Sequence, residues 1–175
     1  MMKFTWLLML TTAALFMTAL TASAQFAFDG DGPIKVDGDK IEYNGDETIL
    51  TGQVEITQGA TRILADTVVL YRNMLATGQP GDVSRIVATG NFYYIAPEQK
   101  VRGDQGVYVQ ASNQITVTGN VVLGDETGNV GTTDKFVYDL NTKQAVLTGT
   151  CTGRKCADGS RPSLIIDNST TPGSQ

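Results

Sequence analysis

The sequence predicts an all-β protein, an elongated β-roll or jelly-roll solenoid made of a stack of repeated hairpins around a continuous apolar interior. Three observations carry this. Apolar residues recur with period two, as in half-buried strands, and no helical period follows the first segment. The 19 glycines and the many Thr and Val residues favour strands and turns. Two short units also alternate along the chain, with about 30 residues per full repeat.

The chain opens on Lys3, an apolar run from Trp6 to Leu20, and the small residues Ala22-Ser23-Ala24. This reads as a secretory signal peptide, residues 1–24, cleaved after Ala24. A membrane anchor is the rival reading. It is weaker because Thr11, Thr12 and Thr18 interrupt a run already shorter than the roughly 20 apolar residues of a span. A linker is expected over 25–33, the β domain over 34–166, and a disordered polar tail over 167–175.

Within the domain, one unit is Asp-x-apolar-x-apolar. It begins at Asp39, Asp66 and Asp134, and at Asp104 with Gly106 in the first apolar slot. The other is Thr-Gly-x-apolar, at Gly52, Gly90, Gly119 and Gly149. Asp104 to Gly119 and Asp134 to Gly149 are both 15 residues; Asp39 to Gly52 is 13, which leaves the first hairpin's register open. Between the second pair, Arg72 to Asp82 has turn chemistry and is expected to protrude as a loop.

Parity refines the pattern. Ile63 and Ala65 are odd while Val68 and Leu70 are even; Val101 is odd while Tyr108 is even. Keeping these residues inside demands a bend or bulge near Asp66 and Asp104. In the last repeat, Thr132-Thr133 reads as an insertion that lets Val130 and Phe136 share a face.

Composition excludes several functions. The formal net charge is −5 and no basic cluster exists, which argues against nucleic acid as a partner. Histidine is absent, which removes Ser-His-Asp, Cys-His and HExxH chemistry. The evenly spaced Asp39, Asp66, Asp104 and Asp134 read as turn or bend residues on successive rungs, not as a catalytic pair. Cys151 and Cys156 are expected to form a local disulfide in an oxidising compartment. A metal site is the weaker reading, with two thiols and no imidazole. No catalytic residue, metal or cofactor is expected.

The motifs resemble a known family. Val54-Glu55-Ile56-Thr57-Gln58-Gly59 followed by Ile63 to Leu70 is similar to the opening of the LptA/OstA-type lipopolysaccharide transport domain. Ile86 to Phe92 and Asp134 to Lys143 resemble later repeats, so the likeness covers roughly Ile34 to Gly149. It implies a twisted β-jelly roll with an apolar interior groove and a periplasmic location. It implies a carrier that shields the acyl chains of lipid A between the inner and outer membranes. The partners implied are an inner-membrane-tethered component and an outer-membrane translocon with the same domain type, joined end to end through edge strands, and a head-to-tail homo-oligomer. With no retained anchor and no barrel expected, the free bridging component is the closest match.

On this reading the lipid-binding face is the inward apolar set: Leu50, Val54, Ile56, Ile63, Val68, Leu70, Ile86, Phe92, Tyr94, Tyr108, Val117, Val121, Phe136, Tyr138 and Leu147. Plain core packing is the competing role for each. Lys35, Lys40, Arg62, Arg85, Lys100 and Arg102 are expected as solubilising charges, with phosphate contact at a rim as the sharper reading. The rivals to a carrier are a sealed structural solenoid (a scaffold or adhesin piece) and a β-helical polysaccharide enzyme.

Overall fold

The alternation resolves into ten strands: β1 (Lys35–Asp37), β2 (Lys40–Asn44), β3 (Glu47–Gln58), β4 (Thr61–Met74), β5 (Pro80–Ile95), β6 (Gln99–Val109), β7 (Gln114–Asp125), β8 (Val130–Asp139), β9 (Gln144–Thr148) and β10 (Ser163–Ile165). The computed structural model describes residues 33–154, 156 and 160–167; the expected leader and nearly all of the linker and tail lie outside them. There is no helix among the described residues. The strands form one antiparallel sheet in the order β1-β3-β4-β5-β6-β7-β8-β10, with β2 also on β3 and β9 also on β8.

Each long strand bends once, at one shared level. In β3, β5 and β7 the bend is the Thr-Gly-x unit. Gly52 and Gln53 have φ of 82° and 45°, Gly90 and Asn91 77° and 45°, Gly119 and Asn120 79° and 47°. Two left-handed residues in succession form a bulge that faces one aspartate: Gly52-Gln53 lies between the pairs Thr51/Thr67 and Val54/Ala65, across from Asp66. Gly90-Asn91 faces Asp104 and Gly119-Asn120 faces Asp134 in the same way. The carboxylates of Asp39, Asp66 and Asp104 occupy the space that a Cβ on Gly52, Gly90 and Gly119 would need. Glycine is thus required twice over, by φ and by room. Asn91 Nδ2 donates to Asp66 at 3.0 Å and Asn120 Nδ2 to Asp104 at 3.2 Å.

This line of corners divides the sheet into two leaves. The first leaf holds β2, β9 and residues 47–51, 67–74, 80–89, 105–109, 114–118 and 135–139. The second holds β1, β10 and residues 54–58, 61–65, 92–95, 99–103, 121–125 and 130–133. Their inner faces pack together. A Cβ on Gly106 of the first leaf would strike the Phe92 ring of the second, and one on Gly103 of the second would strike Val117 of the first. The roll is therefore a folded sheet, all-β and twisted as the repeats imply.

The phase changes fall where the parity demands them. Ile63 and Ala65 are buried before Asp66 and Val68 after it; Val101 is buried before Asp104 and Gly106 after it. The last repeat corrects the sequence reading. Val130 is 38% exposed, while Gly131, Thr133 and Phe136 are buried. Thr133 pairs with Val121 and takes an inward slot, so β8 changes phase at Asp134 like its neighbours.

Two further registers are settled. The first hairpin turns on two residues, since Asn44 pairs with Glu47, whereas Val109/Gln114 and Asp139/Gln144 enclose four. The shorter turn accounts for the 13-residue spacing, and Asp39 N still donates to Gly52 O at 3.1 Å. The 72–82 segment is mostly strand: Arg72 pairs with Val83 and Met74 with Pro80, so a hairpin protrudes and only its tip is loop. Gly149 departs from the other Thr-Gly units. It has no left-handed φ, and Ser160, Arg161 and Pro162 crowd its open side. Here the chain leaves the sheet until β10 returns at Ser163. This excursion holds the Cys151–Cys156 disulfide, with Cα atoms 5.9 Å apart.

Candidate functional site

Among the described residues, the space between the leaves is assembled from successive repeats. Eleven of the fifteen inward residues singled out above are buried in one apolar cluster. The other four, Leu70, Tyr108, Tyr138 and Leu147, are half-buried and pack against it. The cluster also takes in Ala65, Ala88, Val101, Ile115 and Leu140, with Val36, Val83, Ala96 and Leu123 at its margins. Ile115 and Leu123 share the odd-numbered face of β7 with Val117 and Val121. Leu140 and Ala96 sit in turns, where period two gives no signal.

Rungs cross the sheet in register. Leu50, Val68, Ala88, Gly106, Val117, Phe136 and Leu147 form one; Ile56, Ile63, Tyr94, Val101, Leu123 and Gly131 form another on the facing leaf. The buried polar residues are Thr48, Gln58, Thr61 and Thr133, and no charged residue is buried among the described ones. Thr133 Oγ1 donates to the Thr148 carbonyl at 2.8 Å, which satisfies it without water.

Opposite the line of corners the leaves end in turns, and this is the mouth. A cavity of about 180 Å³ opens there, lined by Thr61, Tyr94, Ala96, Pro97, Glu98 and Gln99 from the second leaf and Tyr138, Leu140 and Lys143 from the first. It shares Tyr94, Gln99 and Tyr138 with a mainly apolar seam, completed by Val101, Ile115, Val117 and Phe136, that has no room for water. The Tyr108 hydroxyl donates to Asn113 Oδ1 at 3.1 Å, and burial raises its pKa.

The charges lie elsewhere. Lys35 pairs with Asp37, Lys40 with Glu42 and Arg62 with Glu55, and Arg85 stacks over Tyr71 at 5.7 Å. By register these cations, with Lys100 and Arg102, point outward, so the structure does not gather them at the mouth. The aspartates sit on alternate strands along the line of corners, each separated from the next by a Thr-Gly strand. Asp134 accepts from Thr150 N and Oγ1 at 2.7 Å each, and the hydroxyls of Ser160 and Thr150 hold its carboxyl below the usual range. An ionised acceptor of this kind shapes a corner and has no proton to give at neutral pH. Among the described residues, no group of three or more His, Cys, Asp or Glu side chains gathers to hold a metal.

Comparison with known proteins agrees with this arrangement. Residues 33–144 match the family model described as LptA/(LptD N-terminal domain) LPS transport protein. The chain is 29% identical over 134 residues to the lipopolysaccharide export system protein LptH of Pseudomonas aeruginosa, covering 71% of this chain and 73% of that one. It is 24% identical over 151 residues to an uncharacterized protein of Rhizobium meliloti, covering 83% and 81%. A 77-residue stretch is 35% identical to the LPS-assembly protein LptD of Salmonella typhimurium; it is 43% of this chain but only 10% of that far longer one. The crystal structure of P. aeruginosa LptH superposes with a TM-score of 0.64 at 23% identity, over 79% of this chain and 98% of that chain. The folded, bulge-cornered sheet and its apolar interior thus have a family: this chain belongs to the LptA/LptD N-terminal domain family of LPS transport proteins.

Proposed function

We propose that this chain is a periplasmic carrier of lipopolysaccharide, a bridge between inner and outer membranes that holds lipid A acyl chains between its leaves and joins partner domains of the same type end to end. One observation carries the reading. The backbone pairing of the long strands runs within each leaf, and no strand pairing among the described residues joins the two leaves across the mouth. Spreading the leaves there separates apolar contacts and leaves the strand ladders intact. An acyl chain entering the seam replaces those contacts with its own. Each methylene removed from water contributes roughly 0.8 kcal/mol, so a chain of about ten offsets the loss of several side-chain contacts. An acidic protein with an uncharged interior must bind a phosphorylated lipid through its hydrocarbon, as the outward cations also suggest. The secretory leader in the sequence supports the periplasmic location.

Photo-reactive residues test this directly. Probes at inward Ile63, Phe92 and Tyr138 are expected to capture lipopolysaccharide in cells, and probes at outward Arg62, Tyr93 and Val137 are not. Capture only from the outward positions would reject the carrier. Mass spectrometry of lipid co-purifying with the native protein provides a second measure.

A further inference from the structure

A second cavity lies on the outer wall, away from the mouth. It holds about 110 Å³ beside the line of corners and is lined by residues of β5, β6 and β7. Its floor is the backbone of Phe92 and Gly103, which pair across β5 and β6. The Phe92 ring itself is turned inward, where a Cβ on Gly106 would strike it. The walls are Tyr93 and Arg102, a directly opposed pair, so their side chains stand next to each other on the outer face. Asn91, Asp104 and Asn120 close the corner side.

The polar groups here are held in place but not used up. Asn91 Nδ2 donates to Asp66 at 3.0 Å and Asn120 Nδ2 to Asp104 at 3.2 Å, which fixes both amides and turns their carbonyl oxygens away from the carboxylates. Asp104 receives that bond on Oδ2, and no described residue donates to its Oδ1. The other arginines of the strands are occupied: Arg62 by Glu55, Arg72 by the Gly81 carbonyl and Arg85 by the Tyr71 ring. The Arg102 guanidinium and the Tyr93 hydroxyl have no partner among the described residues, and Tyr93 is 39% exposed. Guanidinium donors, a carboxylate oxygen and two amide carbonyls thus line one small recess.

This composition selects the guest. One guanidinium and one carboxylate leave the recess without net charge, so neither a simple anion nor a simple cation is favoured there. An apolar guest would strip water from these groups and return no hydrogen bond. A neutral ring bearing several hydroxyls answers each of them. Its oxygens accept from Arg102, its hydroxyls donate to Asp104 Oδ1 and the amide carbonyls, and its C–H face lies against the Tyr93 ring. The volume suits a single six-membered ring, a few waters in size. We infer that this recess is a carbohydrate site for one pyranose unit of an oligosaccharide, with Arg102 and Tyr93 as its main contacts. It lies outside the second leaf and does not depend on lipid between the leaves.

The proposed periplasmic location offers two sources of such a unit, the oligosaccharide of lipopolysaccharide and the cell-wall glycan, and the test separates them. The isotope-labelled chain is titrated, under NMR, with deacylated lipopolysaccharide oligosaccharide or with a soluble N-acetylglucosamine oligomer. At least one sugar should shift the side-chain amides of Asn91 and Asn120 and the Arg102 Nε–H saturably, with a Kd of about 1 mM. The sugar that does so names the source. Tyr93→Ala and Arg102→Ala should each weaken that binding about tenfold, whereas Arg62→Ala, on the same wall, should leave it unchanged. Circular dichroism checks that each variant folds, and the shift map of the parent chain decides the matter if one does not. Lipid capture at Ile63 should be the same in both variants, so failure of this site and failure of lipid carriage are read separately. No shift with either sugar, shifts that survive both substitutions, or the same shifts produced by inorganic phosphate or glycine would overturn the carbohydrate site.

Discussion

Gly90 and Gly78 share a φ of +77°, yet they pose different physical problems. At Gly78, in the tip of the β4–β5 hairpin, nothing lies within 4 Å of an added Cβ. At Gly90 the same atom would meet the Asp66 carboxylate. Gly78→Ala should therefore lose about 1 kcal/mol of stability, the backbone strain alone. Gly90→Ala should lose about 2–3 kcal/mol, adding displacement of a hydrogen-bonded carboxylate. Urea unfolding of the two variants measures the difference. The sequence already set these corner glycines apart by their repetition. It did not show that Gln53, Asn91 and Asn120 follow into the left-handed region, because a side chain is unusual there; at Asn91 and Asn120 the side-chain amide bonds to Asp66 and Asp104.

Among elements, the β7–β8 turn has its own titration. Asp125 Oδ1 accepts from Thr127 Oγ1 at 2.7 Å, and Asp125 Oδ2 from Asn129 Nδ2 at 2.7 Å. These bonds lower its pKa from the ordinary carboxylate value of 3.8 to about 2. Since the folded value is depressed, the turn's stabilisation is complete above the unfolded value near 4 and is lost as pH falls through about 2. The Thr127 and Asn129 amide shifts should titrate with a midpoint near 2, and a midpoint near 4 would show that the bonds do not form in solution. Long central strands were legible because alternation had room to declare itself, as in Leu50, Val54 and Ile56 or Val117 and Val121. The three-residue β1 and β10 were not: they are too short for any period and owe their form to neighbours already in place. Val130 was misread for a related reason, since a lone valine beside two threonines outweighed the buried Thr133.

At the scale of the molecule, the apolar interior was legible almost residue by residue, because repetition requires each unit to bury its face against the next. What no single strand discloses is that the faces meet across a fold in one sheet, leaving a mouth. The mouth should respond to a lock. Cysteines replacing Ala96 and Leu140, which line opposite sides of its cavity, should abolish lipid loading once oxidised and restore it on reduction, with the parent chain as control for the Cys151–Cys156 bridge. Loading that persists in the locked form would move the entry elsewhere. The arrangement of bonds also gives the protein two unequal stiffnesses. Tension applied from strand to strand works against ladders of backbone hydrogen bonds that must break together. A prying force across the turns meets side-chain contacts, apolar within the seam, and no strand ladder. Such a molecule can hold fast as a link under load while it opens sideways to let a passenger in.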